Sequence, residues 1–426
     1  MTKLSAPKGT HDLLPPDIAL WQWAEAVMRD SFARANVHEI RTPLFEATEL
    51  FKRGVGETTD IVNKEMYTFE DGGQRSMTLR PENTASVVRA YNQHGMDRWP
   101  KPVKLYYMGP MFRYERPQQG RQRQFHQVGL EVFGVDTAAS DAESILLAWQ
   151  LLQALGLKDL TLKINNMGMP EDRHRFRQGL RDHLKDQLGA LCSDCQARYE
   201  TNPLRMLDCK NPDCQAMYQK EPIHTYIRTD FSSPDAQAHF AEVLALLDAM
   251  AVPYTRDPML VRGLDYYTKT VFEITSDNLG AQSAVCGGGR YNGLVKQLGG
   301  GNNDVPATGW AMGMERLLSL LEPPKPQGLD VYVVSDDIPT ALQWVTQTRQ
   351  AGFRADWDPT GRKALGKQLA QADKLGACVA LLLGESERNS GQVTVKHLAS
   401  GEQETLAAGE VLARLGQVLH HTRVCL

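Results

Sequence analysis

Two runs of alternating side chains, Val103 to Met108 and Phe125 to Val135, flank a charged segment, and no other stretch of the chain constrains its fold as tightly. A period of two is the mark of a strand, and two such runs joined by a loop read as a long antiparallel hairpin. In the second run the period places Phe125, Gln127, Gly129, Glu131 and Phe133 on one face. His126, Val128, Leu130 and Val132 take the other, which is largely apolar and belongs against a core. On the first face Gln127 and Glu131 flank Gly129, and the gap left by the glycine suggests a floor for a ligand. A solvated sheet face would alternate in the same way.

The segment between the strands carries four arginines in eleven residues, Arg113, Arg116, Arg121 and Arg123, interleaved with glutamines. It has no apolar anchor, which suits a loop lying over phosphates. Arg113 is placed where the first strand ends. A second polar cluster, Arg262-Gly263-Leu264-Asp265-Tyr266-Tyr267, precedes another alternating strand, Val271 to Ile274. An arginine, an acid and two tyrosines beside a glycine suit a site that grips a polar ligand and stabilises negative charge. Near Ser76 to Arg80 a strand stops at Pro81, and Thr84 is placed to cap the helix that follows. Glu82 sits at that junction, either as a functional carboxylate or as a first-turn acid facing the helix dipole.

The Phe112-Arg113-Tyr114-Glu115 pattern, with Phe125 behind it, resembles the second signature motif of class II aminoacyl-tRNA synthetases. Gly309-Trp310-Ala311-Met312-Gly313-Met314-Glu315-Arg316 resembles the third, with Ala311 in place of the middle glycine. Among those enzymes the Arg262 run is similar to a hallmark of histidyl-tRNA synthetases. Cys286-Gly287-Gly288-Gly289-Arg290-Tyr291-Asn292 resembles their second hallmark, and Lys8 to Asp12, Arg41 to Glu46 and Thr78 to Ala85 match as well. Two departures are Asn83, where glycine is expected, and Asn292, where aspartate is common. Both keep a small polar side chain, and asparagine tolerates a left-handed backbone.

The resemblance implies an α+β catalytic domain built on an antiparallel sheet over residues 1–325, interrupted by a helical insertion at about 170–258. A C-terminal α/β anticodon-binding domain would follow at 329–426. It further implies a histidine–tRNA ligase using ATP with Mg2+, with L-histidine and tRNA(His) as partners, acting as a homodimer through the segment around Pro43. Arg262 and Arg113 would be catalytic, addressing the histidine carboxylate and the α-phosphate. Arg113, Glu115, Arg121, Phe125 and Arg316 would bind ATP. Glu82, Asn83, Thr84, Gln127, Glu131, Arg262, Tyr266, Tyr267 and Tyr291 would bind histidine. Two relatives of other function share parts of this pattern: a histidine-binding regulator of a transferase, and sensor modules fused to kinases. The first lacks the C-terminal domain and an intact Arg262 run, and the second brings kinase motifs; this chain has the former two and none of the latter.

A chain of 426 residues, 42% of them hydrophobic, is long enough for two or three domains. Its net charge of -4 supplies no global basic field, so RNA contacts must be local. No apolar run reaches membrane-spanning length, and seven cysteines without an N-terminal signal point to reduced thiols in the cytoplasm. Cys192-x2-Cys195 and Cys209-x4-Cys214, thirteen residues apart, could hold tetrahedral zinc. The second spacing is wide and the family requires no metal there, so free thiols and no metal ligand are the sequence expectation. A proline-rich linker, Glu322 to Gly328, marks the domain boundary. Beyond it Arg354, Arg362, Lys363 and Lys367 are candidates to meet RNA phosphates.

Overall fold

The computed structural model describes residues 4–57, 59–116, 121–264, 266–276, 278, 284–301, 304–322, 328–361 and 363–423. Asp265, Arg362, the loop tip 117–120 and the core of the proline linker (323–327) lie outside the described residues. The chain divides into two compact units, residues 1–323 and 324–426.

The first unit is organised by an eight-stranded sheet. Its order is His38–Glu39, Val103–Phe112, Gln124–Phe133, Ala307–Gly313, Ala284–Arg290, Thr268–Ser276, Leu160–Asn166 and Tyr254–Arg256. The six inner strands pair antiparallel, and only the two short edge strands run parallel to their neighbours. The hairpin is longer than the alternation suggested: Val103 faces Phe133 and Phe112 faces Gln124. Its register is pinned by burial. Val128, Leu130 and Val132 pack under the helices Asp17–Arg34 and Ala138–Ala154 with Trp310, Met312, Phe272 and Ile274. Slipping by one residue would drive Glu131 into that apolar layer and turn the valines and leucine toward the polar cavity face.

The opposite face of the same strands carries a second, aromatic cluster that includes Tyr107, Phe133, Tyr266, Tyr267 and Tyr291. There the gap at Gly129 is not open to a ligand. Tyr107, directly across the hairpin, lays its ring over Gly129, and a Cβ added there would come within 2.3 Å of it. The floor is therefore tyrosine and not empty space.

The interval expected to be one helical insertion is divided. Residues Pro170 to Arg228 form short helices around their own core, with Leu180, Leu184, Cys195, Cys214 and Tyr218 buried in it. The helix Pro234–Ala249 instead packs Phe240, Val243 and Leu247 on the main sheet, and Tyr254–Arg256 extends that sheet. Helical periodicity alone does not reveal which core a helix serves.

In the second unit five strands pair in the order Ala355–Trp357, Val331–Ser335, Val379–Leu383, Gln392–His397 and Gln403–Ala407. The first three are parallel and the last two antiparallel. Apolar residues cover both faces, with Val333, Leu381 and Leu415 in one cluster and Tyr332, Val334 and Ala380 in the other. The strand Gln403–Ala407 and the helix Glu385–Ser390 escaped the sequence reading. Gln403–Ala407 alternates exposed and intermediate residues, so its hydrophobic pattern is weak. Arg354 pairs with the buried Asp330 at 2.8 Å and Lys363 lies 3.7 Å from Asp358, yet both remain exposed, as does Lys367. No helix among the described residues is long and apolar enough to cross a membrane.

Candidate active site

On the tyrosine side of the large sheet lies a cavity of about 750 Å3. It gathers nearly every residue singled out from the sequence: Glu82, Thr84, Arg113, Glu115, Arg121, Phe125, Gln127, Glu131, Arg262, Tyr266, Tyr267, Tyr291 and Arg316. Asn83 is the exception. Its Oδ1 accepts from Thr42 Oγ1 at 2.7 Å and from Arg80 at 3.3 Å, so it braces the neighbouring segment and does not line the cavity. Nor is its backbone left-handed, with φ at -118°, and Asn292 likewise keeps a negative φ. Asn292 ties the fully buried Arg290 to the strand Ala307–Gly313 through its Oδ1, so the asparagine departures serve structure.

At one end sits a pair of buried acids. Glu82 accepts from the backbone N–H groups of Thr84 at 2.7 Å and Ala85 at 2.9 Å, capping the helix Thr84–Gln93. The capping role expected of Thr84 thus belongs to Glu82. That frees the Thr84 hydroxyl to donate to Glu131 Oε1 at 2.7 Å, while Tyr291 donates to Glu131 Oε2 in a short contact. Burial raises the Glu82 pKa against the pull of the two N–H groups. Burial also pushes Glu131 up to about 8, although the Tyr291 and Thr84 hydroxyls oppose it; Glu82 adds to the rise. A cationic group entering between the acids would relieve both.

At the other end the arginines converge. Arg113 lies 5.2 Å from the Phe125 ring and donates to the Pro81 carbonyl at 2.8 Å. Arg121 pairs with Glu115 at 2.9 Å, and Arg316 donates to the Ala284 carbonyl at 3.3 Å. Burial lowers the Arg316 pKa, and the neighbouring Arg121 and Arg113 lower it further, although Glu115 opposes them. An anion is the ligand that such a cluster lacks. Arg262 stands between the two ends and donates to Glu273 at 2.7 Å, while its Nε is buried without a hydrogen-bond partner among the described residues. Gln127 Oε1, also on the cavity wall, is in the same condition.

The glycines explain how so many large polar groups fit. A Cβ on Gly287 would lie 2.1 Å from Arg262 Nη2, and one on Gly309 would lie 2.2 Å from Glu131 Oε2. Each glycine makes room for a side chain of the site, not for a ligand lying against the backbone. The same holds at Gly263, whose carbonyl accepts from Arg205 at 2.9 Å. Ala311 is accommodated because both its cross-strand partners, Gly129 and Gly287, lack a side chain.

Three lining residues carried no signal of their own. Glu315 accepts from the His126 N–H at 2.9 Å and pairs with its ring at 3.0 Å, fixing the turn that presents Arg316. Arg205 belongs to the insertion and reaches the Arg262 loop from 58 positions away in sequence. Glu65 lies beside Glu115, and burial together with that neighbour raises its pKa. No local periodicity announces such contacts.

Comparison with known proteins gives one consistent result. The family described as Histidyl-tRNA synthetase matches residues 9–317, and the Anticodon binding domain family matches residues 331–417. A Histidine–tRNA ligase of Synechococcus elongatus is 50% identical over 419 residues, covering 97% of this chain and 94% of its own. That of Halothermothrix orenii is 45% identical over 424 residues, covering 98% of this chain and 100% of its own. The crystal structure of apo histidyl-tRNA synthetase from Staphylococcus aureus superposes with a TM-score of 0.80 at 36% identity, covering 97% of this chain and all of that one.

Proposed function

The chain belongs to the histidyl-tRNA synthetase family, and on that premise we propose how its cavity performs the family's two-step reaction. The fold is that of a class II synthetase with a separate C-terminal anticodon-binding domain. The activity is that of a histidine–tRNA ligase. In the first step a histidine carboxylate oxygen bonds to the α-phosphorus of ATP, the bond to the β-phosphate oxygen breaks and pyrophosphate leaves. In the second the terminal ribose hydroxyl of tRNA(His) attacks the activated carbonyl, histidine is transferred and AMP departs.

The observation that carries the residue roles is that one cavity is lined by both an arginine cluster, Arg113, Arg121 and Arg316, and the buried acids Glu82 and Glu131. ATP takes the arginine end. Phe125 and Arg316 enclose the adenine, Glu115 meets its amino edge, and Arg113, Arg121 and Arg316 meet phosphate oxygens. Histidine takes the acidic end, its ammonium on Glu82 and Thr84 and its imidazole between Glu131 and Tyr267. Gln127 supplies its unpartnered oxygen as a further acceptor, and Tyr266 and Tyr291 close the walls. Arg262 lies where carboxylate and α-phosphate meet, and its planar fork serves both anions at once. Two negative groups must approach while charge builds on phosphorus oxygens, so fixed cations and alignment dominate the rate. Mg2+ suits the same end, because its ligands are mainly phosphate oxygens and water and the Glu65–Glu115 pair offers carboxylate beside them. Bound there, it would neutralise phosphate charge.

The second unit reads the anticodon, and the division of labour has a direct test. Full-length protein should catalyse histidine-dependent exchange of pyrophosphate into ATP, with no other amino acid supporting it. A chain ending near residue 323 should keep part of that exchange and lose most tRNA charging. Normal charging by the shortened chain would remove the assignment of the second unit.

Homodimerisation is supported by large apolar side chains left exposed in the N-terminal part of the first unit: Leu14 is 63% exposed, Leu44 45% and Phe45 50%. Such groups cluster where a second copy covers them. Sedimentation at micromolar concentration should give twice the chain mass; a fully active monomer would refute it. The setting is the cytoplasm, where translation consumes the product and thiols stay reduced.

A further inference from the structure

The four cysteines of the insertion, 17 and 22 positions apart across the pairs Cys192–Cys209 and Cys192–Cys214, come together in space. All four sulfurs lie within 4.8 Å of one another, and three of the residues are buried. We propose that Cys192, Cys195, Cys209 and Cys214 bind one zinc ion, which staples the insertion and thereby holds one wall of the active-site cavity. This replaces the sequence expectation of free thiols.

The distances favour a metal over packed thiols. A zinc–sulfur bond of about 2.3 Å in a tetrahedron sets sulfurs at about 3.8 Å from each other. Cys192 and Cys209 sulfurs are 3.7 Å apart, too far for a covalent bond and close to that edge. The surroundings supply what zinc thiolates need, namely donors aimed at sulfur. The Cys192 N–H points at Cys214 Sγ at 3.2 Å, the Asn211 N–H at Cys209 Sγ at 3.4 Å, and the Tyr218 hydroxyl at Cys195 Sγ at 3.7 Å. Cys192 precedes the helix Ser193–Thr201 and Cys195 lies in its first turn, so both sulfurs sit at the end where the dipole favours thiolate. The wide x4 spacing is spanned because Asn211 caps the helix Pro212–Tyr218, which carries Cys214 back to the cluster.

The module also needs a staple. Its helices Ser193–Thr201, Pro212–Tyr218 and Ile223–Arg228 are nine, seven and six residues long, below the length at which helices hold themselves. Between the two cysteine pairs sit Arg198 and Arg205. Both reach Asp60, at 3.5 and 3.4 Å, and Arg205 also holds the carbonyl next to Arg262. A metal in the cluster would fix the segment from which those arginines extend.

Elemental analysis of the full-length protein, purified under reducing conditions without chelator from zinc-supplemented cells, should give about one zinc per chain. After zinc is stripped under reduction, added Co2+ should give the visible bands of a tetrahedral site and charge-transfer intensity of four cobalt–thiolate bonds. Cys195→Ser combined with Cys214→Ser should lose the zinc and lower the melting temperature. Zinc-free protein that takes up neither Zn2+ nor Co2+, or a cobalt spectrum with only two thiolates, would overturn the proposal whatever the variant's stability.

Discussion

Arg262→His should lower the rate of histidine-dependent pyrophosphate exchange by about two orders of magnitude or more, the scale set by losing one donor to developing negative charge. The side chain lines the cavity between the arginine and acid ends, and Gly287 is kept free of a side chain to make room for it. Histidine fills neither the length nor the fork of the guanidinium. The structure also shows a competing role, because Arg262 is paired with Glu273 at 2.7 Å and braces two elements of the site. The two roles separate in Glu273→Gln, which breaks the ion pair and keeps the arginine. A catalytic arginine predicts that this second variant stays within about tenfold of the parent, while Arg262→His falls much further. The Michaelis constant for ATP should move little in either. Equal rate losses in the two variants, accompanied by equal falls in melting temperature, would leave Arg262 a brace and remove it from the chemistry.

Much of the site was legible because its residues sit on strands, where a period of two assigns faces without knowledge of the fold. Gln127 and Glu131 were placed on one face by that rule alone, and they line one cavity. The position of Arg113 followed from its place at the end of a strand, and Phe112 does end it. What could not be read were decisions taken across the sheet. The gap at Gly129 is closed by Tyr107 from the partner strand, and Glu82 rather than Thr84 caps a helix, while the Thr84 hydroxyl donates to Glu131. Asn83 shares a motif with Glu82 but turns toward Thr42 and Arg80. The insertion was harder still. Its helices are short and charged, and only three-dimensional placement showed that Pro234–Ala249 serves the main core while the four cysteines meet. Spacing along a chain states which ligands are available; it does not state whether loops return them to one point.

Selectivity for histidine should rest on Glu131, and its ionisation gives the claim a pH signature. With its pKa pushed up to about 8 by burial, the Glu131 carboxyl of the free enzyme carries a proton at pH 7, where free imidazole is neutral. Acid plus imidazole holds the same single proton as carboxylate plus imidazolium, so histidine binds at that pH without net proton exchange. Above about pH 8 the free enzyme loses that proton and must recover it to form the pair. The histidine Michaelis constant should then rise by up to about tenfold per pH unit. Glu131→Gln resembles the protonated acid in shape, and either the Thr84 or the Tyr291 hydroxyl can turn to accept from the amide. It should raise the histidine Michaelis constant at pH 7 by about 10- to 100-fold, since a bond to a charged partner is worth roughly 1.5–3 kcal/mol, while the ATP value stays within about threefold. The rise above pH 8 should vanish in the variant. Stability has its own sign. A carboxyl raised from about 4.3 unfolded to about 8 folded contributes stability fully present below pH 4.3 and lost progressively as pH climbs to 8. The melting temperature of the ligand-free parent should therefore fall relative to Glu131→Gln between about pH 5 and pH 8.5. If both proteins kept the same offset across that range, and the variant raised both Michaelis constants equally, Glu131 would neither titrate in the pocket nor meet the imidazole.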